Sequence, residues 1–245
     1  MGVWNHRGPP PYLPPADFPA DPIGMERGLT VDVRPRHRGN DPLLFLDFRA
    51  GRRWLRDHCR DATVLNLFSY TGTAGLAAIA GGAFEVWNVD FARSALDVAA
   101  ANAERNGQSD RTRLICADAF AVMRQLAGLK VDTRRRRDFP RFAPRTFDVV
   151  VLDPPTWATS PFGTVDLVRD YPSVFKPALL ATRPGGAMLV TNHVPSVDAA
   201  DWHAVLRRSA EKAKRPLRSL TAIPPEADFP SPDGRFPLKM AWLEV

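Results

Sequence analysis

The chain has 245 residues, of which 44% are hydrophobic and 24% charged, so it is large enough for one sizeable domain with a well-buried core. No segment approaches the roughly 20 apolar residues that span a bilayer, and the polar N-terminus lacks the apolar core of a signal peptide. Two cysteines give no basis for a disulfide framework or a cysteine-ligated zinc site, so we expect a cytoplasmic protein with no membrane segment and no metal. The net charge of +6 favours a polyanionic partner such as nucleic acid, although many basic proteins bind none.

The beginning of the chain contains a proline cluster, PPPYLPP, at positions 9–15. Because proline fixes φ and lacks an N–H, we expect neither a helix nor a central strand there, and we predict a flexible arm over residues 1–24. Next, GLTVDV and LLFLDF have the pattern of strands, and RAGRRWLRDHC has helical spacing. Residues 25–60 are therefore expected to form two strands and a helix that pack on a domain comprising residues 61–245.

From residue 61 onward, strand-like and helix-like segments alternate. The strand-like segments are TVLNLFS, EVWNVD, RTRLICAD, TFDVVVLDPP and GGAMLVTNH, and the helical segments between them are TAGLAAIAGG, ARSALDVAAANAERNG, AFAVMRQLAG and DLVRDYPSVFKPALLAT. After a last helix, DAADWHAVLRRSAEKA, the strands LRSLTAI and LKMAWLEV follow without a helix between them, so we expect them to pair antiparallel. We predict an α/β fold: a Rossmann-like, seven-stranded, mostly parallel sheet with helices on both faces and an antiparallel C-terminal edge strand.

The connection GLKVDTRRRRDFPRFAPR, residues 128–145, interrupts this alternation. Connections between a helix and a strand usually need only about 2–6 residues, and this one is long and basic. It is either a solvated surface loop or a loop whose Arg134–Arg137 cluster contacts the phosphates of a nucleic acid. The sequence leaves both interpretations open.

In open α/β sheets, ligands bind outside the carboxyl ends of the parallel strands. Three of the first four strands of the predicted domain end in aspartate. A single aspartate at such a position is often the N-cap of the following helix, but three together indicate a ligand site. The residues at these ends are Phe68, Ser69, Tyr70, Thr71 and Gly72, then Asp90 and Phe91, then Asp118 and Ala119, and finally Asp153, Pro154, Pro155, Thr156 and Trp157.

The first of these turns has two glycines but not the third of G-x-G-x-x-G, which argues against NAD or FAD, and the chain has no P-loop for ATP or GTP. Asp90 lies about 20 residues beyond the turn, the spacing at which a carboxylate binds ribose hydroxyls. Asp118 can reach an adenine edge, and Phe91 can cover the ring. A ligand with ribose and adenine but no phosphate fits this pattern, and S-adenosylmethionine (SAM) is such a ligand. Its cationic sulfonium also suits the carboxylates of Asp90 and Asp153.

The fourth strand ends in DPPTW, residues 153–157. The two prolines fix φ and donate no hydrogen bond, so they form a rigid turn whose carbonyls can face a cleft. Asp153 can accept a hydrogen bond from a base edge or from the amino group of the cofactor. Trp157 offers a flat face for stacking a base, unless it is a buried core aromatic. We therefore assign Asp153, Pro154 and Pro155 to catalysis, and Thr156 and Trp157 to substrate binding.

These segments are similar to those of a known family. FDVVVLDPPTW resembles the [D/N]-P-P-[FYW] motif of class I SAM-dependent methyltransferases that modify nucleic-acid bases. LNLFSYTGTAGLAA resembles the cofactor loop of the bacterial 23S rRNA large-subunit methyltransferases, a group with guanine-N7 and cytosine-C5 enzymes. The similarity extends through most of residues 26–245. It implies a class I fold, SAM as the cofactor and ribosomal RNA as the substrate.

The resemblance also implies roles for individual residues. Arg49, in LDFR, matches a position near the SAM carboxylate, whereas the residues alone indicate only a surface arginine. Asn192, in TNH, matches a strand end that faces the substrate, and the neighbouring His193 is either a base or a structural histidine. The remaining assignments are Phe68–Gly72 at the methionine part of SAM, Asp90 at the ribose, Asp118 and Ala119 at the adenine, and Asp153 at the start of the substrate loop.

Two features depart from the relatives. Relatives of this type often carry an N-terminal RNA-binding PUA domain, where we expect only the proline arm. Methylation of cytosine C5 needs a cysteine nucleophile, and no cysteine follows DPP or lies in TNHVPS, so a nitrogen acceptor is favoured.

We expect a SAM-dependent methyltransferase (EC 2.1.1) that modifies a base of RNA, with 23S rRNA as the first candidate. The alternatives are a SAM-dependent methyltransferase of a small metabolite and a non-catalytic SAM- or RNA-binding protein.

Overall fold

The structure, a computed structural model, describes residues 22–34, 41–132, 139–229, 231, 233 and 236–245. Most of the predicted proline arm and the Arg134–Arg137 cluster lie outside the described residues. The strands are β1 (Ile23–Glu26), β2 (Leu29–Asp32), β3 (Thr63–Leu67), β4 (Glu85–Asp90), β5 (Thr112–Cys116), β6 (Phe147–Leu152), β7 (Trp157–Ser160), β8 (Gly163–Asp166), β9 (Thr182–Asn192), β10 (Ser219–Ile223) and β11 (Lys239–Glu244). The helices are α1 (Arg49–His58), α2 (Thr73–Ala80), α3 (Arg93–Arg105), α4 (Ala119–Leu126), α5 (Tyr171–Ala181) and α6 (Ala199–Lys212). In the described ranges, every helix is too short or too polar to cross a membrane.

Seven strands form the central sheet, in the order β10-β11-β9-β6-β3-β4-β5. β3 runs parallel to β4 and to β6, with Leu67 opposite Val89 on one side and Leu152 on the other, so all three strands end at the same edge. β11 runs antiparallel to both β9 and β10. The predicted α/β fold is therefore confirmed. The antiparallel strand itself lies second from the edge, and β10 occupies the edge.

The central strands are apolar on both faces because helices cover both faces of the sheet. In β3, Leu65 and Leu67 pack in a cluster with residues of α4, α5 and α6, whereas Val64 packs in a cluster with residues of α1 and α2. A third cluster joins α2, α3 and β2. Burying one such aliphatic side chain contributes about 1.5–3 kcal/mol, so these clusters hold the strand ends in fixed positions.

Residues 43–48, LLFLDF, were predicted as a strand, and this is wrong: they form turns and bends. The apolar side chains are nevertheless buried, since Leu43, Leu44 and Phe48 are each 5% exposed or less. A short apolar run does not distinguish a strand from an irregular segment that covers the core. Here the run closes the core beside α1 and leaves its backbone free to contact other loops.

The hairpin of β1 and β2 begins at Ile23, inside the segment predicted as a flexible arm. Its backbone is hydrogen-bonded to two asparagine side chains at the end of α3. The backbone N–H of Asp32 donates to Oδ1 of Asn102, and that of Thr30 donates to Oδ1 of Asn106, both at 2.9 Å. The N-terminal strands and α1 thus contact the main sheet domain, while the division at residues 24 and 60 stays a prediction.

β7 and β8 form a separate antiparallel hairpin that the sequence did not predict. It follows the DPP turn directly and occupies part of the segment between β6 and α5. The segment DLVRDYPSVFKPALLAT, predicted as one helix or two, contains a single helix that begins only at Tyr171. Gly163 of the hairpin lies so close to α4 that a Cβ atom there would approach the ring of Phe120 to 2.7 Å. The hairpin consequently rests against α4, and a larger residue at this position would displace it.

Candidate functional site

The loop Phe68–Gly72, between β3 and α2, has an unusual backbone. Its φ angles are 58° at Phe68, 49° at Tyr70 and 73° at Gly72. Only glycine adopts this region freely, and other residues there cost about 1–3 kcal/mol each. Such conformations persist where neighbouring structure enforces them, and they cluster at ligand sites.

Two neighbouring segments hold this loop in place. The N–H of Ser69 donates to the carbonyl of Val89 at 3.0 Å, and the buried hydroxyl of Thr71 donates to the carbonyl of Leu43 at 2.7 Å. The hydroxyl of Ser69 is also buried but has no hydrogen-bond partner among the described residues. An unpaired buried polar group costs about 1–3 kcal/mol. The loop therefore offers a hydroxyl that a polar ligand could satisfy.

Asp90, at the end of β4, connects this loop to the next one. Its Oδ2 accepts from the N–H of Tyr70 and its Oδ1 from the N–H of Ala92, both at 2.8 Å. Burial raises the pKa of Asp90, and the backbone hydrogen bonds offset only part of this effect. Ala92 is the N-cap of α3 and has no side-chain cap, so Asp90 is not a helix N-cap. The adjacent Phe91 is 75% exposed, which leaves its ring available to a ligand.

Asp118, by contrast, is the N-cap of α4. Its Oδ1 accepts from the N–H of Phe120 at 2.8 Å and from that of Ala121 at 3.3 Å. The N-cap interpretation weighed from the sequence therefore applies to this aspartate. Ala119, the first residue of α4, is buried. The contact of Asp118 and Ala119 with adenine stays a prediction.

Asp153 follows β6 and contacts the end of β9. Its Oδ1 accepts a hydrogen bond from the hydroxyl of Thr191 and lies 2.7 Å from Nε2 of His193. The pairing of β6 with β9, which places Leu152 opposite Val190, brings these side chains together. The sequence analysis did not predict the contact between Asp153 and His193, because about 40 residues separate them in the chain.

The rest of DPPTW forms the start of the β7–β8 hairpin. Pro154 is buried, whereas Pro155 and Thr156 are exposed. Trp157 is 63% exposed, so the alternative of a core aromatic is wrong for this residue. The carbonyl of Thr156 accepts from the N–H of Leu167 at 3.2 Å, which fixes the turn. The tryptophan ring thus lies on a rigid support and faces solvent.

Two further charged residues belong to this part of the edge, and the sequence analysis missed both. Asp47, just before α1, lies close enough to His193 and Asp153 to interact with their charges, and burial raises its pKa. Lys239, at the start of β11, donates to the carbonyl of Val194 at 2.7 Å, and burial lowers its pKa. The strand order alone could have indicated Lys239, since β11 pairs with β9.

Arg49 and Asn192 are placed differently from the other predicted site residues. Arg49 begins α1 and forms an ion pair with the exposed Asp228 in the connection between β10 and β11. Asn192 is fully buried: its Oδ1 accepts from the N–H of Val194 at 2.9 Å, and its Nδ2 contacts the carbonyl of Leu167 at 3.4 Å. In this arrangement Asn192 holds two loops, and a direct contact with substrate stays a prediction.

The strand order brings these groups to one edge of the sheet. β3 separates β4 from β6, so the ends carrying Asp90 and Asp153 are two strand spacings apart, about 10 Å. One side of the edge thus presents a buried carboxylate, an exposed aromatic ring and an unpaired hydroxyl. The other side presents an aspartate–histidine pair beside an exposed tryptophan. Among the described residues, no cluster of three His, Cys, Asp or Glu is arranged to hold a metal.

Comparisons with known proteins identify the family of this chain. The sequence profile of the S-adenosylmethionine-dependent methyltransferase family matches residues 24–240. The Ribosomal RNA large subunit methyltransferase I of Aeromonas salmonicida (strain A449) is 31% identical over 218 residues, which cover 87% of this chain and 51% of that protein. The chain spans about half the length of the curated relatives it matches.

Solved structures share the fold. A methyltransferase complexed with S-adenosylhomocysteine superposes with a TM-score of 0.77 at 22% identity, covering 96% of this chain and 58% of the other. The SAM-dependent methyltransferase of Agrobacterium tumefaciens superposes with a TM-score of 0.72 at 21% identity, covering 95% of this chain and 73% of the other. Because the family profile matches most of its length, this chain belongs to the S-adenosylmethionine-dependent methyltransferase family.

Proposed function

We propose that this chain transfers the methyl group of SAM to a nitrogen of a base in ribosomal RNA, with 23S rRNA in the cytoplasm as the target. One observation carries the proposal: Asp153, held by Thr191 and His193, ends a strand at the same sheet edge as Asp90 and directly precedes the DPPTW turn with its exposed tryptophan. A hydrogen-bond acceptor and a stacking surface thus lie at the same sheet edge as the residues predicted to bind the cofactor. The relative from Aeromonas salmonicida is named as a methyltransferase of large-subunit rRNA, which supports this substrate.

The residues on one side of the edge fit SAM. The carboxylate of Asp90 would bind the ribose hydroxyls, and the exposed ring of Phe91 would cover the adenine. The buried hydroxyl of Ser69, which has no partner among the described residues, would bind a polar group of the methionine part. Arg49 would contact the SAM carboxylate after leaving its ion pair with Asp228. When bound, SAM supplies a methyl group on a sulfonium sulfur, which a nucleophile can displace.

The residues on the other side suit a base. A base must leave its stack to reach this edge, and stacking on Trp157 would contribute about 1–3 kcal/mol. Oδ2 of Asp153 has no hydrogen-bond partner within the described part of the chain, so it can accept from an amino group together with a carbonyl of the proline pair. Holding the acceptor nitrogen in line with the methyl group can supply about 7–11 kcal/mol of the barrier reduction.

The described end of the basic connection, residues 139–145, adjoins this surface. The ring of Phe139 packs on that of Phe162, in the β7–β8 hairpin, with centroids 4.9 Å apart. The guanidinium of Arg141 lies 4.1 Å above the ring of Phe139. A cation thus lies next to the hairpin that carries Trp157, which supports the interpretation of this connection as a phosphate-contacting loop.

The position of both cysteines supports nitrogen rather than C5 as the acceptor. Cys59 is fully buried after α1, and burial raises the pKa of its thiol to about 12. Cys116 ends β5, which is three strand spacings from β6 in the sheet order, or about 14 Å. Its thiol donates to the carbonyl of Phe91 at 3.6 Å. Neither thiol is therefore placed to attack a base beside Asp153.

A cavity beside the same edge favours a second candidate, a SAM-dependent methyltransferase of a small metabolite. The cavity has a volume of about 540 Å³ and lies between the loop after β9 and strands β10 and β11. This volume is in the range of about 300–1,000 Å³ that is typical of small-molecule sites. Its apolar lining includes Val197, Ile223, Pro224, Leu238 and Met240.

Transfer of labelled methyl groups tests the proposal. The purified protein is incubated with tritium-labelled SAM and with rRNA from a strain lacking the gene, and in parallel with a metabolite extract. We expect label in the RNA, and we expect Asp153→Ala to abolish transfer while the melting temperature changes by only a few degrees. Asp201→Ala, on the exposed face of α6, is the matched control and should transfer normally.

Each result separates the candidates. Label confined to the metabolite fraction would favour the second one. Normal transfer by Asp153→Ala would remove Asp153 from the reaction. If calorimetry on folded protein gave no heat with SAM or with S-adenosylhomocysteine, both candidates would be wrong.

A further inference from the structure

Asp153 and His193 form a hydrogen-bonded pair at the carboxyl edge of the sheet, with Nε2 of the histidine 2.7 Å from Oδ1 of the aspartate. An ionised carboxylate only accepts hydrogen bonds, so Nε2 carries the hydrogen. In an uncharged imidazole the other nitrogen, Nδ1, is then the basic atom. Within the described residues Nδ1 has no hydrogen-bond partner, and 32% of the side chain is exposed. The imidazole is therefore partly exposed just after β9, and its Nδ1 is unpaired within the described residues.

The groups that face His193 come from several elements. Asp153 after β6 and Asp47 before α1 contribute negative charge, and Lys239 of β11 contributes positive charge. Tyr171 of α5 lies near Asp153 and is fully buried, which keeps its pKa well above the usual value and its hydroxyl uncharged. Burial opposes a charged imidazole, but the hydrogen bond and charge of Asp153 with the charge of Asp47 outweigh it, so the pKa of His193 is raised. The ring is thus able to retain a proton that it accepts.

Resting on the proposed function, we propose that His193 accepts the proton that the nucleophile loses, and that this nucleophile is an exocyclic amino group of the base. Asp153 then serves two partners: Oδ1 orients the imidazole, and Oδ2 accepts a hydrogen bond from the amino group. An amino nitrogen carries hydrogens and must lose one on methylation. N7 of guanine carries no hydrogen, so its methylation needs no proton acceptor.

The atoms and electrons of this step balance. The lone pair of the amino nitrogen forms the bond to the methyl carbon as the carbon–sulfur bond breaks, and the electrons of the broken bond remain on sulfur. The nitrogen, which then carries a positive charge, passes a proton through one bridging water molecule to Nδ1 of His193, because Nδ1 lies on the side of the ring away from Asp153. The products are the methylamino base, S-adenosylhomocysteine and an imidazolium, which releases its proton to water. The reaction involves no oxidant or reductant.

Rates as a function of pH, together with the identity of the product, test this inference. Single-turnover transfer from SAM to rRNA of the deletion strain is measured for wild type, His193→Gln and His193→Ala. A base must be uncharged to accept a proton, so the wild-type rate should rise tenfold per pH unit and level off above the raised pKa of His193. Both variants should lack this rise and should be about 10²–10⁴-fold slower on the plateau. His58→Gln, an exposed histidine at the other edge of the sheet, is the control and should match wild type.

Nucleoside mass spectrometry should find a base methylated on its amino group, and calorimetry should find unchanged SAM affinity in the variants. A product of 7-methylguanosine or 5-methylcytidine would overturn the inference while leaving the proposed function standing. A wild-type rate and pH profile in both variants would overturn it as well. Loss of SAM binding or of thermal stability in both variants would assign His193 a purely structural role. An absence of transfer to RNA by the wild-type protein would instead overturn the proposed function, and the inference with it.

Discussion

Asp148, the second residue of β6, shows how one carboxylate joins three strands of the sheet. It accepts hydrogen bonds from the backbone N–H and the hydroxyl of Thr63, both at 2.7 Å, and forms an ion pair with Arg183 of β9. Burial raises its pKa, but the hydrogen bonds and the charge of Arg183 outweigh this and lower the pKa below the ordinary value of 3.8. The ionised form therefore stabilises the fold above that value, and this stabilisation is lost as the pH falls through the lower pKa of the folded state.

We accordingly expect Asp148→Asn to lower the free energy of unfolding by about 1–3 kcal/mol at neutral pH, since charged hydrogen bonds are lost. The difference from wild type should shrink as the solution is acidified below pH 3.8. Urea denaturation across the acidic range measures it. Asp110→Asn, at an exposed carboxylate of the Ser109–Arg111 turn, should show no such dependence. A difference that stayed constant with pH would contradict the assigned role of Asp148.

At the scale of single residues, the sequence identified side chains by their position at a strand end. It did not identify side chains that form hydrogen-bonded pairs between strands. Asp90 and Trp157 were singled out by position, since each stands next to a strand end. Asp118 has the same position, but its carboxylate caps a helix, and nothing in the sequence distinguishes the two aspartates. The partner of His193 lies in another strand, so only the pairing of the strands reveals it.

The hairpin of β7 and β8 is the element that we expect to contact RNA. Trp157→Ala should weaken RNA binding by about 1–3 kcal/mol, because a stacking surface is lost. It should leave SAM affinity and stability unchanged, because the ring is 63% exposed. Filter binding with rRNA measures the effect. Phe84→Ala removes another exposed ring, 70% accessible, just before β4 at the opposite edge of the sheet, and should have no effect on RNA binding. Equal losses in both variants would contradict a specific role for the hairpin.

At the scale of elements, the helices were predicted from apolar residues at helical spacing, and the central strands from short apolar, β-branched runs bounded by turns. The hairpin was missed because WATS and GTVD are four-residue strands with little apolar alternation. LLFLDF was assigned to a strand because its residues are apolar, although they are buried without forming one. In both cases tertiary contacts decide the local structure: Gly163 rests on Phe120, and Leu43 accepts a hydrogen bond from Thr71.

For the whole molecule, the net charge of +6 predicts RNA binding that weakens with salt. Arg141→Ala should reduce the slope of log Kd against log salt by about one, as expected when one phosphate contact is lost. Arg60→Ala removes the same charge from the other edge of the sheet, where Arg60 is exposed, and should leave the slope unaltered. Titrations at several potassium concentrations measure both. An unchanged slope in Arg141→Ala would mean that the connection of residues 139–145 is only a surface loop.

The placement of β11 between β9 and β10 also constrains how the protein is made. Translation produces residues 219–223 before residues 239–244, yet β10 is hydrogen-bonded to the sheet only through β11. Until residues 239–244 have been made and have paired, β9 has an open flank and the core is incomplete on that side. We infer that this side of the carboxyl edge is completed only when β11 pairs with β9, because that pairing places Lys239 opposite Asn192, next to His193.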